Sequence, residues 1–253
     1  MADRMNRSGN PGLNDRTFIS QPLVGYGEQR MTLQGTVNKS FLLLVVLLAG
    51  ALWPWSQYMA TGGDTAAVGV SVMVGLIGGA VLGLIMSFKP TMAQYLAIPY
   101  AGLEGLALGG FSAIMERKYP GVAIQAVALT FAVFAVMLVA YRAGLIRATE
   151  RFRAVVIGAT GAIALMYLVS MVLGLFHVDT SAMFGNTSLS IGISLVVVCV
   201  AALNLILDFD FIESGAAHGV PRYMEWYSAF ALLLTMVWLY MEILRLLANS
   251  RRN

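Results

Sequence analysis

Residues 194–213 read SLVVVCVAALNLILDFDFIE. A helix of about 20 mainly apolar residues is long enough to cross the hydrocarbon core of a bilayer. This stretch meets that requirement and ends on three carboxylates, Asp208, Asp210 and Glu213. A charged side chain at the bilayer centre costs about 3 kcal/mol on insertion scales, so such residues face a bundle interior, pair, or mark an ion path.

Working outward, six further stretches have the same character. The seven predicted spans are 38–60, 66–88, 91–114, 121–141, 153–176, 188–213 and 222–248. They take up nearly all of the chain after a polar stretch, so the expected organisation is a flexible cytoplasmic tail over 1–36, a membrane domain over 37–248 and a short polar C-terminus over 249–253. The fold class is an all-α integral membrane protein, a seven-transmembrane-helix bundle. A six-span arrangement with one re-entrant segment is the alternative. Composition agrees: of 253 residues, 58% are hydrophobic and 11% charged, against about 25% charged in a soluble domain.

The net charge of +3 reports loop topology. The tail, Lys89, the cluster Arg142, Arg147, Arg151 and Arg153, and Arg222 all fall on one side, which the positive-inside rule makes cytoplasmic. The loops Thr61-Gly62-Gly63-Asp64, Glu116-Arg117-Lys118 and His177 to Asn186 fall on the other, with two basic residues between them. Arg251 and Arg252 at the C-terminus violate the pattern locally. No basic stripe interleaved with aromatics points to nucleic acid. Cys199 sits in an apolar run as a small hydrophobe. His177 and His218 fall in separate predicted loops on opposite sides, which argues against a histidine metal site, and no cofactor is expected.

Gly75, Gly79 and Gly83 recur at intervals of four, as do Gly105 and Gly109. Such small faces let helix backbones approach closely, either within the bundle or between two copies. Pro54 and Pro99 suggest kinks.

The polar groups inside the spans are the candidate site. Asn204 and Asp208 share one face of the sixth span and Asp210 and Glu213 another. Counting from Glu213, Asp208 lies about 7 Å deep. In the seventh span Ser228, Thr235 and Glu242 recur every seven residues as a polar stripe, with Glu225 one turn before Ser228, at about the depth of Asp208 if the helices are antiparallel neighbours. Glu104 is the deepest isolated acid, roughly 20 Å along the third span from Lys89. Each has a plain structural reading: Asp208 as a helix-end acid beside an Arg or Lys, Asp210 and Glu213 as interfacial acids, Glu242 as the i,i+3 partner of Arg245, and Glu104 as a hydrogen-bonding link between helices.

The run LNLILDFDFIE (203–213), followed by a short basic loop and a last helix ending LYMEILRLLA (239–248), resembles the Bax inhibitor-1 family, also called the transmembrane Bax inhibitor motif family, and its bacterial branch most. The similarity extends to MTLQGTVNKS (31–40), FKPTMAQYLAIPYAGLEGLALGG (88–110) and YPGVAIQAVALTFAVFAVMLVAYRAGLIRAT (119–149). The resemblance implies a seven-helix fold with a central last helix. It also implies a pH-sensitive Ca²⁺ leak of the plasma (inner) membrane, governed by an aspartate on each of the last two helices, and no catalysis.

The sixth-helix aspartate is matched by Asp208. For the second, matching the end of the last helix puts Thr235 where the family carries aspartate; a register that matches LYME to the family's LYLD makes Glu242 the counterpart but demands a large insertion. In the first register, which is preferred, Asp208 acts alone or pairs with Glu225, Glu104 or Glu242. The basic cluster that the family links to its closed state is reduced here to Lys89, the candidate gating base.

Three functions follow. The first is a cation leak in which Asp208 transiently meets Ca²⁺ and senses protons, since hard cations want oxygen ligands and two close carboxylates share a proton. The second is a membrane regulator that binds a protease or stress-response partner without conducting ions. The third, an intramembrane hydrolase, is disfavoured: no Gly-x-Gly-Asp or Gly-x-Ser-x-Gly motif and no membrane histidine is present.

Overall fold

The hydroxyl of Thr32 accepts the Gly35 N–H and caps α1 (Leu33–Ala60), the arrangement that satisfies an otherwise orphaned first-turn donor. Six more helices follow: α2 (Thr65–Phe88), α3 (Ala93–Lys118), α4 (Val122–Arg142), α5 (Glu150–Leu175), α6 (Ser188–His218) and α7 (Met224–Ser250), with a 3₁₀ turn at Pro90–Met92. The computed structural model describes residues 30–176 and 188–251. Among these, all seven helices are long and apolar enough to cross a membrane. The fold is the seven-helix bundle expected, and each span is a continuous helix, which replaces the six-span alternative.

Three boundaries differ from expectation. α1 begins at Leu33, inside the stretch read as tail, because Thr32 supplies a cap that hydropathy does not register. α3 continues to Lys118, so Glu116-Arg117-Lys118 is a helix end; Glu116 accepts the N–H groups of Gly121 (2.5 Å) and Ala123 (2.9 Å). α6 continues five residues past Glu213 to His218, which is therefore helical, its ring nitrogen 2.6 Å from Ser214 O. Gly219, at φ 64°, ends it in a left-handed turn, and the Val220 N–H returns to Gly215 O at 3.3 Å. The loop at 61–64 is as predicted, whereas His177 to Asn186, the tail up to residue 29 and Arg252 lie outside the described residues.

The described residues divide into two units, one within 16–123 and 211–234, the other within 124–210 and 235–253. In the first, the glycine faces are used within the chain. A Cβ at Gly105 would meet Leu47 O, one at Gly109 would meet Ala51 O, and one at Gly75 would lie 2.5 Å from Leu103 O and 2.6 Å from Ala107 N. Gly50 faces Gly102 in the same way, at 2.7 Å to its carbonyl oxygen. α3 thus lies backbone to backbone against both α1 and α2, which small residues alone permit. Tyr58, Val68 and Ala113 form a buried cluster beside Trp55 and Ile114.

In the second unit Ile163, Val197 and Val200 pack with Ala159, Tyr167, Ile193 and Trp238. Phe209 sits edge-on to Phe134, with ring centroids 5.5 Å apart. Of the seven spans α7 is the most buried, followed by α3 and α6. Exposed apolar side chains such as Phe41, Trp53, Val70, Leu165 and Val196 supply the surface that lipid tails cover.

Candidate functional site: the buried acids of α6 and α7

Asp208 is 3% exposed, and one of its carboxylate oxygens has no hydrogen-bond partner among the described residues. Its side-chain partner is the hydroxyl of Thr235, itself buried on α7. One turn before Asp208, the amide of Asn204 donates to Thr160 Oγ1 at 2.8 Å and to Val200 O at 2.9 Å. The shared face of Asn204 and Asp208 is therefore the buried face of α6. Asp210 is half-buried and ion-paired with Arg153, while Glu213 is exposed; the helix turns these two away from the core, as their spacing foretold.

Thr235 meets Asp208, and Glu242 lies two turns farther along in a cluster of its own. There the Tyr167 hydroxyl donates to Glu242 at 2.5 Å, and Arg245 reaches both Glu242 (3.3 Å) and the Tyr167 oxygen (2.9 Å). The guanidinium also stacks 5.3 Å over the Tyr167 ring. The i,i+3 partnership of Glu242 with Arg245 holds, and the tyrosine makes it a triad.

Glu225 has partners of its own at the start of α7. Its two oxygens are satisfied by the Thr32 N–H (2.9 Å), the Thr32 hydroxyl (2.9 Å), the Lys39 ammonium and, more distantly, Arg222 (3.9 Å). Depth in the membrane is the same for every face of a helix, so matching depth could not reveal which face Glu225 occupies. Glu104 is half-buried and lies over Gly79 of α2, where a Cβ would come within 2.8 Å of Oε2. One turn earlier is Tyr100, whose buried hydroxyl is the side-chain partner of Glu104, whereas the buried hydroxyls of Tyr227 and Ser228 have no hydrogen-bond partner among the described residues. Lys89 projects an exposed side chain, and its N–H closes the last turn of α2 on Ile85 O.

Several partners escaped the sequence reading: Arg153, Thr160 and Tyr167 on α5, and Thr32 and Lys39 at the start of α1. A signal existed for the first three. They recur every seven residues along α5, the same period as Ser228, Thr235 and Glu242 on α7, and meet Asp210, Asn204 and Glu242 in turn. A repeat of seven keeps residues on one helix face, so α5 presents a polar seam with one partner at every second turn. Nothing comparable marks Thr32 or Lys39, which read as tail and first turn.

The site is thus a carboxylate and a hydroxyl facing each other from α6 and α7, while Asp210, Glu225 and Glu242 are each paired with a cation. Among the described residues no three His, Cys, Asp or Glu side chains gather as a metal cluster. No curated protein and no solved structure matches the sequence. A family model described as Bax inhibitor 1 like matches residues 8–252, from the tail through α7, and the chain belongs to that family.

Proposed function

We propose that the protein is a cation leak, for Ca²⁺ foremost, in the plasma membrane with its N-terminus cytoplasmic, and that protonation of Asp208 sets its conductance. The observation that carries this reading is the buried Asp208 carboxylate with one oxygen free of hydrogen bonds and Thr235 as its partner on the last helix. A carboxylate in the interior of a membrane protein is costly to hold, and an oxygen left without a donor is suited to a passing cation. One carboxylate, one hydroxyl and water give fewer ligands than the six to eight oxygens of a storage site. Weak holding is what conduction needs, since an ion must leave as readily as it enters. Protonation removes the charge that attracts the cation, so flux rises with pH. No bond is made or broken, and the reading assigns no catalysis.

The experiment is Ca²⁺ flux into dye-loaded liposomes holding purified protein at pH 6 and pH 8. Wild type should conduct faster at pH 8, and Asp208→Asn should lower flux at least tenfold and remove the pH response. Flux that Asp208→Asn leaves unchanged refutes the assignment of this residue. Wild-type liposomes that stay ion-tight while a protease or other membrane partner copurifies in mild detergent would favour the regulator reading.

A further inference from the structure

The first described residues form more than a lead-in to α1. Arg30 makes an antiparallel β-bridge with Pro221, and the Met31 N–H donates to Val220 O at 2.8 Å. Met31 is 2% exposed. The next residue, Thr32, gives both its N–H and its hydroxyl to Glu225 Oε1, while Lys39, two turns into α1, gives its ammonium to Oε2. Lys39 also stands 5.3 Å from the Trp226 ring centroid. Gly35 leaves room for the Glu225 carboxylate, which a Cβ there would displace. Residues 30–39 are therefore bound along their length to the α6–α7 connection and the first turn of α7, and Glu225, 2% exposed, is where these bonds converge.

We infer that Glu225 is a positioning residue: it locks residues 30–39 as a strap across the start of α7, and release of the strap raises cation flux. A carboxylate with three donors, one of them a lysine from another helix, holds one geometry. Replacing it removes the charge that holds the Lys39 ammonium, because removing one partner of a buried charged pair leaves the other uncompensated. Helix α7 carries both Glu225 and, ten residues on, Thr235, so the strap fixes the helix that presents the partner of Asp208. A bond network with two discrete states, tied or released, is the kind of element through which one end of a protein biases another. The flux part of this inference rests on the leak reading, whereas the strap itself does not.

The test compares wild type, Glu225→Gln, Lys39→Met and the charge exchange Lys39→Glu with Glu225→Lys, all in lipid nanodiscs or liposomes. Hydrogen exchange by mass spectrometry reads the peptide over 30–40, and Ca²⁺ flux reads conduction. Each single substitution should speed exchange in that peptide at least tenfold and raise flux severalfold, and the exchanged pair, which restores the ion pair but leaves the Thr32 N–H without an acceptor, should bring both only part of the way back. Exchange that stays at the wild-type rate in both single variants overturns the strap. Faster exchange with unaltered flux overturns its regulatory role and leaves a purely structural clasp. If wild type does not conduct under any condition but Glu225→Gln does, the strap holds the closed state. If neither conducts, the leak reading fails, and the exchange arm still decides whether Glu225 ties the segment down.

Discussion

Gly109→Ala should destabilise the protein by about 2 kcal/mol, through a route that no side-chain rearrangement can relieve. Gly109 lies on α3 against α1, where a Cβ would meet the carbonyl oxygen of Ala51 and come within 2.6 Å of its Cα. Gly105, one turn earlier, would meet Leu47 O and lie 3.0 Å from Ala51 N. Ordinary contact for a Cβ begins at 3.4 Å, and the neighbours are main chain, so the two helices must part by on the order of an ångström along a close-packed interface.

Overpacking of this kind costs about 1–3 kcal/mol, and 2 kcal/mol corresponds to roughly a thirtyfold shift in the folding equilibrium. The same parting accommodates both new methyls, so Gly105→Ala with Gly109→Ala should cost clearly less than the sum of the singles. The internal controls are Gly158→Ala and Gly161→Ala on α5, where a Cβ meets nothing within 4 Å; each should stay within about 0.5 kcal/mol of wild type. Steric trapping in micelles, or SDS titration followed by tryptophan fluorescence, measures wild type and all five variants. A Gly109→Ala variant as stable as Gly158→Ala, or a strictly additive double, would refute the backbone-contact argument.

Tyr167→Phe removes the hydroxyl shared by Glu242 and Arg245 and should cost about 1–3 kcal/mol, because it leaves a buried carboxylate short of a donor; the same unfolding assay reads it. Thr235→Asp places a second carboxylate beside Asp208. Two close carboxylates titrate as a pair in two macroscopic steps, so the pH profile of Ca²⁺ flux should broaden from one step to two, and an unchanged single-step profile would count against Thr235 facing Asp208. Glu116→Ala deletes the acceptor for the Gly121 and Ala123 amides and should cost about 1 kcal/mol, the usual value of a lost helix cap, seen as faster hydrogen exchange confined to the start of α4.

The number, position and helical nature of the spans were legible in the chain alone. Apolar length is matched to bilayer thickness, and a backbone in lipid must satisfy its own hydrogen bonds, so these properties are local and visible in a single window. Spacing also told which acids share a face: Asn204 and Asp208 lie together and are buried, while Asp210 is partly exposed and Glu213 exposed. What hydropathy and periodicity lack is partner identity. Glu225 and Lys39 are 186 residues apart, Tyr167 and Glu242 are 75 apart, and nothing in either local segment names the other. The preferred register already put Thr235 where the family carries aspartate, but that Thr235 stands beside Asp208 and Glu242 beside Tyr167 and Arg245 came from packing. A helix fixes the face on which an acid lies, and only the assembled bundle fixes what stands against that face.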